Sequence, residues 1–406
     1  MMMPEENLVV TDTPVAAGVL PSQWIARAHE AGWIVSDQDL GSTQIQPASL
    51  DLRLGDVAHR LRCSFLPGSA GVEQRLPDFE MGSPLQLDGG AILERGRPYL
   101  IRLQEGLALP KELSARANPK SSTGRLDIFT RLVTDNSSSF DDVELGYTGP
   151  LYLEVVSRTF TIHVEAGLSL NQLRLANRVA EPLTGARLKK IHQTDPLLMI
   201  GRRKLPAASL PVSDDGLFLS LDLGGTKREQ VGWRAKKNSE LMDLTKIGHH
   251  DPQDFWEPVV SERGGGVVLE PEEFYLLLSR EGVRVPPSYA AEMTAFDPTS
   301  GELRTHYAGF FDPGFGHSER GSGSRAALEV RAHDVPFKVE HGQRVCKLVF
   351  LPMTHVPDDL YGSNGSNYQF QSETLSKHFT RTKPLQVVAP IARPTHPAAK
   401  AGAPLF

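Results

Sequence analysis

The run Leu93-Glu94-Arg95-Gly96-Arg97-Pro98-Tyr99-Leu100 returns later in the chain as Leu269-Glu270-Pro271-Glu272-Glu273-Phe274-Tyr275-Leu276. The two runs lie 176 positions apart, since 269 − 93 is 176. Further along, Leu153-Glu154-Val155 matches Leu328-Glu329-Val330 at a spacing of 175. Several pairs in the same order over more than a hundred residues indicate an internal repeat, so the chain is one domain duplicated.

Short apolar runs within each copy predict β-strands. Residues 150–156 and 345–350 are rich in β-branched and aromatic side chains. Turn signals such as Asp312-Pro313-Gly314 separate such runs, and the 36 glycines and 30 prolines are more than a helical protein tolerates. We therefore expect a mainly β protein whose two copies each form a sandwich or barrel.

Composition shifts divide the chain further. One helix is predicted near the start, where Ser22 would cap residues 23–31 and Gly32 would end the helix. The expected divisions are a flexible start (1–15), the first domain (16–180), a connector (181–212), the second domain (213–356), a lid (357–380) and a disordered tail (381–406).

Charge and hydropathy argue against several classes of partner. The formal net charge is −6 and no Lys/Arg run forms a basic face, which argues against general nucleic-acid binding. No 18-residue apolar run occurs and the start lacks the apolar core of a signal peptide, so we expect a cytoplasmic protein with no membrane partner. Cys63 and Cys346 are far apart, and we expect both to be buried apolar residues.

Three polar segments of the first copy are candidates for chemistry. Residues 120–125 combine two serine hydroxyls with flanking cations, which suits a phosphate or a polar transition state, although a solvated serine-rich turn fits as well. Residues 141–154 end in Glu154, which is costly to ionise among apolar neighbours unless it is paired or faces solvent. Residues 167–172 form a turn and strand that either place Gln172 on a base edge or make an ordinary hairpin.

Together and in this order, these segments resemble the dCTP deaminase and dUTPase family. Residues 46–55 are similar to the family's N-terminal deaminase signature, residues 121–125 to its second motif, and residues 146–154 to the strand that bears its catalytic glutamate. The resemblance covers residues 20–178 well and 215–352 more loosely. It implies two tandem dUTPase-like β-barrels of the jelly-roll type with a short N-terminal helix.

The second copy resembles a different part of the family's site. Residues 306–315 are similar to the hairpin that reads base and sugar, in which a backbone carbonyl at the Ala308 position helps to hold the catalytic water. In the first copy Asp135 stands where that alanine is expected, and residues 136–140 are inserted. The second copy keeps only a shortened serine motif at 299–304.

Residues 361–371 resemble the family's C-terminal lid over the triphosphate. Two tyrosines and paired glutamines favour a segment that docks rather than a disordered polar tail. A lysine common in this lid is replaced by Asn367, so the resemblance does not carry that phosphate contact over to this chain.

Family sites lie between neighbouring barrels, so the resemblance implies a composite pocket. Either Glu154 or Glu329 would act as general base for a water that attacks C4 of cytosine, while Ser121 and Arg125 orient it and Ala308 holds it. The remaining implied substrate contacts are Lys120, Ser122, Asp135, Gln172, His306, Asp312, Tyr361, Tyr368 and Gln371.

The expected activity is dCTP deamination, with dUTP and dTTP as further candidate ligands. Zinc deaminases carry a Pro-Cys-x-x-Cys motif that this sequence lacks, so we expect no zinc, and Mg²⁺ only with the triphosphate. Since single-barrel relatives are trimers, two barrels per chain imply a homotrimer with pseudo-hexameric packing. A monomer that pairs its own two copies is the alternative assembly.

Two other functions stay open. The first is dUTP diphosphatase, alone or combined with deamination, in which an aspartate such as Asp135 activates water against the α-phosphate. The second is a non-catalytic nucleotide-binding regulator, which the degraded serine motif of the second copy would suit.

Overall fold

The computed structural model describes residues 17–381, apart from 42, 179, 225–228, 263–264, 296–302, 306–308, 319–320, 333, 364–367 and 372–373. Strands dominate both halves of the chain, so the prediction of a mainly β protein is confirmed.

The first copy folds around one large twisted sheet. Its central order is β10-β8-β13-β4-β7-β11-β9, and β6 and β12 pair separately. Its elements are β1 (Gly18–Val19), α1 (Ser22–Glu30), β2 (Ile34–Ser36), β3 (Ile45–Gln46), β4 (Ser49–Arg60), α2 (Val72–Arg75), β5 (Leu85–Gln86), β6 (Ala91–Leu93), β7 (Pro98–Ala108), β8 (Leu113–Pro119), α3 (Ser121–Gly124), β9 (Ile128–Thr134), β10 (Asp142–Val143), β11 (Thr148–Ser157), β12 (Ile162–Val164) and β13 (Ser169–Asn177).

The second copy forms two larger sheets and a small one. Their orders are β15-β14-β21-β17-β19, with β25 and β23 added beside β21, then β16-β27-β22-β24, and β20-β26. Its elements are α4 (Gly185–Thr194), β14 (Leu198–Ile200), β15 (Arg203–Lys204), β16 (Leu217–Ser220), β17 (Gln230–Ala235), β18 (Met242–Asp243), α5 (Pro252–Phe255), β19 (Trp256–Val260), β20 (Gly266–Leu269), β21 (Phe274–Val283), β22 (Tyr289–Ala295), β23 (Leu303–Thr305), β24 (Phe310–Phe311), β25 (Ser324–Ala332), β26 (Phe337–Glu340) and β27 (Arg344–Pro352).

Strand register shows that the two copies are structurally equivalent. In the first copy Glu154 of β11 lies opposite Leu100 of β7. In the second, Glu329 of β25 lies opposite Leu276 of β21, which are the residues that the sequence repeat matches to that pair. A slip of one residue would turn every side chain to the other face of the sheet. The shared register therefore supports the duplication.

The two barrels are joined through a common apolar core. Strand β18 belongs to the second copy but pairs with β12 of the first, so that Met242 lies beside Ile162. The ring of Phe160 packs against the rings of Phe255 and Trp256, with centroids 5.6 Å away in each case. All five side chains are buried, so the second copy supplies part of the first barrel's interior.

Buried ion pairs cross the same seam. Arg331 of β25 pairs with Asp127, which follows α3, and Arg174 of β13 pairs with Asp312, which follows β24. All four groups are almost completely shielded from solvent. A buried charge is tolerated only with a partner, so each barrel supplies charges that the other neutralises.

Local structure corrects two predictions. Helix α1 begins at Ser22 rather than after it, because Pro21 takes the extended N-cap position, and no side chain caps the helix. Gly32 does end it, with a left-handed φ of 74°. Cys346 is buried as predicted but Cys63 is exposed, so that expectation is wrong for Cys63.

The predicted connector is an integral part of the second barrel. Helix α4 buries Leu188, and β14, which buries Leu198, pairs with β21. The predicted disordered tail begins at 381 and, beyond that residue, lies outside the described residues. Across the described part of the chain, no helix has the length and apolar character needed to cross a bilayer.

The shared core makes a testable prediction. Met242→Ala should lower the free energy of unfolding by about 2–5 kcal/mol, because it empties a fully buried position of the first barrel's core. The neighbouring variant Leu241→Ala is a matched control, since Leu241 is 40% exposed, and it should change that free energy by no more than about 0.5 kcal/mol. Urea denaturation measures both variants, and equal losses would contradict the shared core.

Candidate active site

A narrow cavity lies between the two barrels. Its walls come from three parts of the chain: the α3 turn of the first copy, strands β24 and β25 of the second copy, and the segment after β27. We call that last segment the covering segment (residues 357–363 and 368–371). Polar and aromatic groups line this cavity, among them Lys120, Ser121, Arg125, Phe310, Phe311, Glu329, Tyr361, Tyr368 and Gln371.

The α3 turn presents a serine and an arginine together. Strand β8 ends at Pro119, and the small residues that follow close a single turn in which the Thr123 and Gly124 N–H groups donate to the Lys120 carbonyl. That turn brings Arg125 back onto Ser121, so Arg125 Nε donates to Ser121 Oγ at 3.1 Å. The hydroxyl is thereby held in a fixed orientation at the cavity wall.

Arg125 is 2% exposed and its remaining partners come from the end of the chain. Its Nη1 donates to the Thr374 carbonyl at 3.2 Å. Its Cζ lies 3.8 Å from the centroid of the Tyr368 ring, which is within cation–π distance. The C-terminal residues therefore shield this guanidinium from water, which strengthens its field in the cavity.

Glu329 faces the same cavity from β25. Burial raises the pKa of its carboxyl to about 7, and the positive charge of Arg125 acts in the opposite direction. A carboxyl that titrates near neutrality exchanges protons readily in both directions at physiological pH. Glu329 therefore has a pKa that suits a general base.

The aromatic wall of the cavity is fixed by an arginine from the other barrel. Arg174 Nη1 donates to the Ala291 carbonyl at 2.8 Å, and Nη2 donates to the Phe311 carbonyl and to Asp312 Oδ1, both at 3.0 Å. Its Cζ also lies 3.9 Å from the centroid of the Phe310 ring. Arg174 thus ties β22 and β24 to the first barrel.

The covering segment is held mainly by Gln369. Its Oε1 accepts from the Gly316 N–H at 2.8 Å, and its Nε2 donates to the carbonyls of Gly314 and Tyr361, both at 3.0 Å. Gln371 Nε2 donates to the Arg325 carbonyl at 2.8 Å. The expectation that this segment docks agrees with these contacts, which close the cavity from above.

Two models of one protein family match this chain. The model of the 2′-deoxycytidine 5′-triphosphate deaminase N-terminal domain matches residues 16–179, and that of the C-terminal domain matches residues 184–379. The chain belongs to the dCTP deaminase family.

This deaminase-family chain is similar to a solved structure and to curated proteins from other organisms. The crystal structure of 2′-deoxycytidine 5′-triphosphate deaminase from Agrobacterium tumefaciens is 48% identical, with a TM-score of 0.77, and the match covers 83% of this chain and 99% of that one. The dCTP deaminase, dUMP-forming, of Acidothermus cellulolyticus is 31% identical over 37% of this chain and 75% of its own length. The dCTP deaminase of Haloarcula marismortui is 29% identical over 37% of this chain and 74% of its own length.

The two repeat-related glutamates of this deaminase-family chain have different surroundings. Glu154 is buried outside the cavity, where Arg131 Nε donates to its Oε1 at 3.0 Å. Arg131 also donates to Ser64 Oγ and stacks on Phe140, 3.8 Å from its Cζ to the ring centroid. Side chains of the first copy therefore fill the space beside Glu154, and Arg131 pairs with its carboxylate.

Several other predicted site residues also lie elsewhere. Asp135 accepts from the Val72 N–H at 2.7 Å in the first barrel. Gln172 lies on β13, where its Oε1 accepts from Ser49 Oγ at 3.4 Å. Asp312 is held by Arg174 and Ser122 turns away from the cavity, while His306 and Ala308 lie outside the described residues.

The structure therefore gathers Lys120, Ser121, Arg125, Glu329, Tyr361, Tyr368 and Gln371 from the predicted set. Sequence reasoning missed Arg174, and it included Gln369 and the two phenylalanines of β24 only as members of the lid and hairpin motifs, without a role of their own. The sequence does indicate that Arg174 is unusual, because it lies between two apolar residues of a strand, Leu173 and Leu175. A charged side chain among apolar neighbours needs a buried partner, and this need indicates an interface with another part of the protein.

Arg174 yields a second prediction. Arg174→Met should lower the free energy of unfolding by about 3–5 kcal/mol, because Asp312 would be left buried without its cation. Arg102→Met is the control, since the side chains of the Arg102–Glu73 pair are 65% and 66% exposed and the pair should contribute no more than about 1 kcal/mol. Both values come from urea denaturation.

The double variant Arg174→Met/Asp312→Leu separates the pair from simple loss of packing. It removes both charges, so it should recover part of the stability that Arg174→Met loses. An Arg174→Met protein as stable as the wild type would contradict the role given to this residue.

Proposed function

We propose that this protein converts dCTP and water into dUTP and ammonia, as a step in pyrimidine deoxynucleotide synthesis that leads towards dTTP. The single observation that carries the proposal is Glu329, a buried carboxyl with a pKa of about 7, in a cavity with Arg125 and Ser121. Membership of the dCTP deaminase family supports the substrate.

Glu329 accepts and returns one proton in this mechanism. As a carboxylate it takes a proton from the attacking water while oxygen bonds to C4 of cytosine. The electron pair of the C4=N3 double bond moves onto N3 as the oxygen adds. The proton held by Glu329 then passes to the amino group, which leaves as ammonia when the C4–N bond breaks, and the second water proton moves directly from the C4 hydroxyl to N3 as the C4 carbonyl of uracil forms. Since one group accepts and returns the proton, a pKa near neutrality suits both steps.

Arg125 and Ser121 organise the reaction around Glu329. Because Arg125 is fixed by Ser121 and by the Thr374 carbonyl, its charge is in place before the substrate binds. Preorganised charge of this kind stabilises the developing transition state without reorganisation. Phe310 and Phe311 give the cavity an aromatic wall against which a pyrimidine ring can pack.

The cavity is small, about 50 Å³, in the closed arrangement. A pyrimidine ring therefore needs the covering segment to lift as it enters and to settle again above it. Closure would exclude bulk water from C4 and leave the one water that Glu329 activates.

Magnesium fits as part of the nucleotide rather than as a resident ion. In the described part of the chain no three His, Cys, Asp or Glu side chains are grouped to hold a metal ion. When bound, Mg²⁺ would neutralise phosphate charge, and Asp51, whose buried Oδ1 lacks a partner, could accept from a water of its shell. We propose that no zinc takes part, which leaves water activation to Glu329.

The second candidate adds diphosphatase activity, because several relatives are named as dUMP-forming dCTP deaminases. That reaction would yield dUMP and pyrophosphate after deamination. Asp135, the aspartate expected to serve it, is engaged by Val72 and lies away from the cavity. Chromatography of the products separates the two candidates, since we expect dUTP to accumulate without pyrophosphate. Tight dCTP binding without any ammonia release would instead favour the non-catalytic nucleotide-binding regulator.

The assembly remains a proposal as well. One chain supplies both walls of the cavity in the part that the structure describes, so the two copies meet within a single chain. A homotrimer with six barrels is the closed assembly that we propose for this cytoplasmic enzyme.

Replacement of each glutamate by glutamine tests directly which of them is the general base. Glu329→Gln should lower kcat for ammonia release from dCTP by a factor of about 100 or more, because the amide cannot accept the proton. Glu154→Gln is the matched control, and its kcat should stay within about threefold of the wild type. The mechanism is wrong if Glu329→Gln retains full activity or if Glu154→Gln alone abolishes it.

The pKa of Glu329 predicts the pH dependence. The raised value means that the carboxyl is protonated below about pH 7 and cannot act as a base there. We expect kcat/KM to rise about tenfold per pH unit up to about pH 7 and then to level off. Initial rates between pH 5 and pH 9 measure this profile, and a profile that is flat below pH 7 would contradict the assignment.

A further inference from the structure

A second cavity of about 370 Å³ adjoins the first. The α3 turn separates the two, with Ser121 and Arg125 on one side and Ser122 and Thr123 on the other. Lys120 lines both cavities. A ligand that occupied both cavities would therefore lie beside Lys120.

Lys377 lines the second cavity only. It is half-buried, and within the described residues its ammonium group has neither a hydrogen-bond acceptor nor an ion-pair partner. Burial lowers its pKa, and the nearby charge of Lys120 lowers it further, against the attraction of Asp51. Two ammonium groups facing one cavity repel each other unless an anion lies between them.

The charges around this cavity do not balance. Asp51 is paired through Oδ2 with Lys120, and its buried Oδ1 has no partner. Arg53 is neutralised by Glu105 at 2.6 Å. His378 is uncharged at neutral pH, because burial lowers its pKa to about 3. Among the described residues around this cavity, the charge of Lys377 is left over, so these residues attract an anion.

We propose that Lys377, together with Lys120, holds the terminal phosphate of the nucleotide. The proposal rests on the function proposed above, since it places the base in the first cavity and the phosphates beyond Lys120. Lysine suits this role as a compact charge with three donors. Because Lys377 lines only the second cavity, it meets the phosphate farthest from the base.

Closure of the covering segment also positions Lys377. The backbone N–H of Lys377 donates to the Tyr368 hydroxyl at 3.1 Å, and Ser376 Oγ donates to the Ser122 carbonyl at 2.9 Å. Tyr368 in turn stacks on Arg125 in the first cavity. Recognition of the terminal phosphate is thereby coupled to closure over the base.

The test compares phosphate-chain lengths. Lys377→Met keeps the aliphatic stem but removes the charge, so KM for dCTP should rise about 10- to 100-fold while kcat stays within about threefold. With dCMP, which has no terminal phosphate to reach Lys377, the variant and the wild type should have the same KM. Lys246→Met is the matched control, because Lys246 belongs to a neighbouring loop but does not line the cavity, and it should behave as the wild type.

Two kinetic outcomes would overturn the proposal. One is an unchanged KM for dCTP in Lys377→Met, and the other is an equal rise in KM for dCTP and dCMP, which would indicate a structural role. Binding of inorganic tripolyphosphate, measured by calorimetry, separates this proposal from the deaminase proposal. If the wild type released no ammonia yet bound tripolyphosphate at least tenfold more tightly than Lys377→Met, Lys377 would keep its role and the deaminase proposal would fail. Equal binding by both proteins would overturn the role of Lys377.

Discussion

Charge buried in the seam between the barrels constrains the rest of this structure. Arg174 reaches from the first barrel to Asp312, and Arg331 reaches from the second to Asp127. A buried ion that loses its partner costs about 3–5 kcal/mol, a large share of a protein's net stability. Neither barrel can therefore keep these charges inside without the other. The cavity that holds Glu329 lies along this seam, so the pairs that join the barrels also shape the site.

The duplication has divided the parts of one site between two copies. Glu154 and Glu329 have the same strand register, but their surroundings differ. Arg131 pairs with Glu154, whereas the cavity between the barrels borders Glu329. The first copy retains the serine turn that positions Arg125, and the second retains the aromatic hairpin. Each copy has lost what the other supplies, which explains why the two halves persist as one chain.

The resemblance to the dCTP deaminase and dUTPase family implied that Ser121 and Arg125 gather with the second copy, whereas local sequence patterns predicted the strands and the duplication. These features depend on side-chain periodicity and on turns, which are encoded within short stretches. Neither sequence motif shows whether Glu154 or Glu329 is the general base, because this depends on whether a cation on the adjacent strand pairs with the carboxylate. Arg174 and Asp312 lie 138 positions apart, and no local pattern links residues at that distance. Lys377 was missed for the same reason, since its surroundings come from several distant loops.

The most direct test of a composite site is a crystal structure of the Glu329→Gln protein with dCTP bound. The account predicts cytosine between the barrels, with its C4 amino group within about 3 Å of the side chain at 329 and its ring against Phe310 and Phe311. A nucleotide bound beside Glu154 and Arg131, or at a place that uses one barrel only, would contradict it.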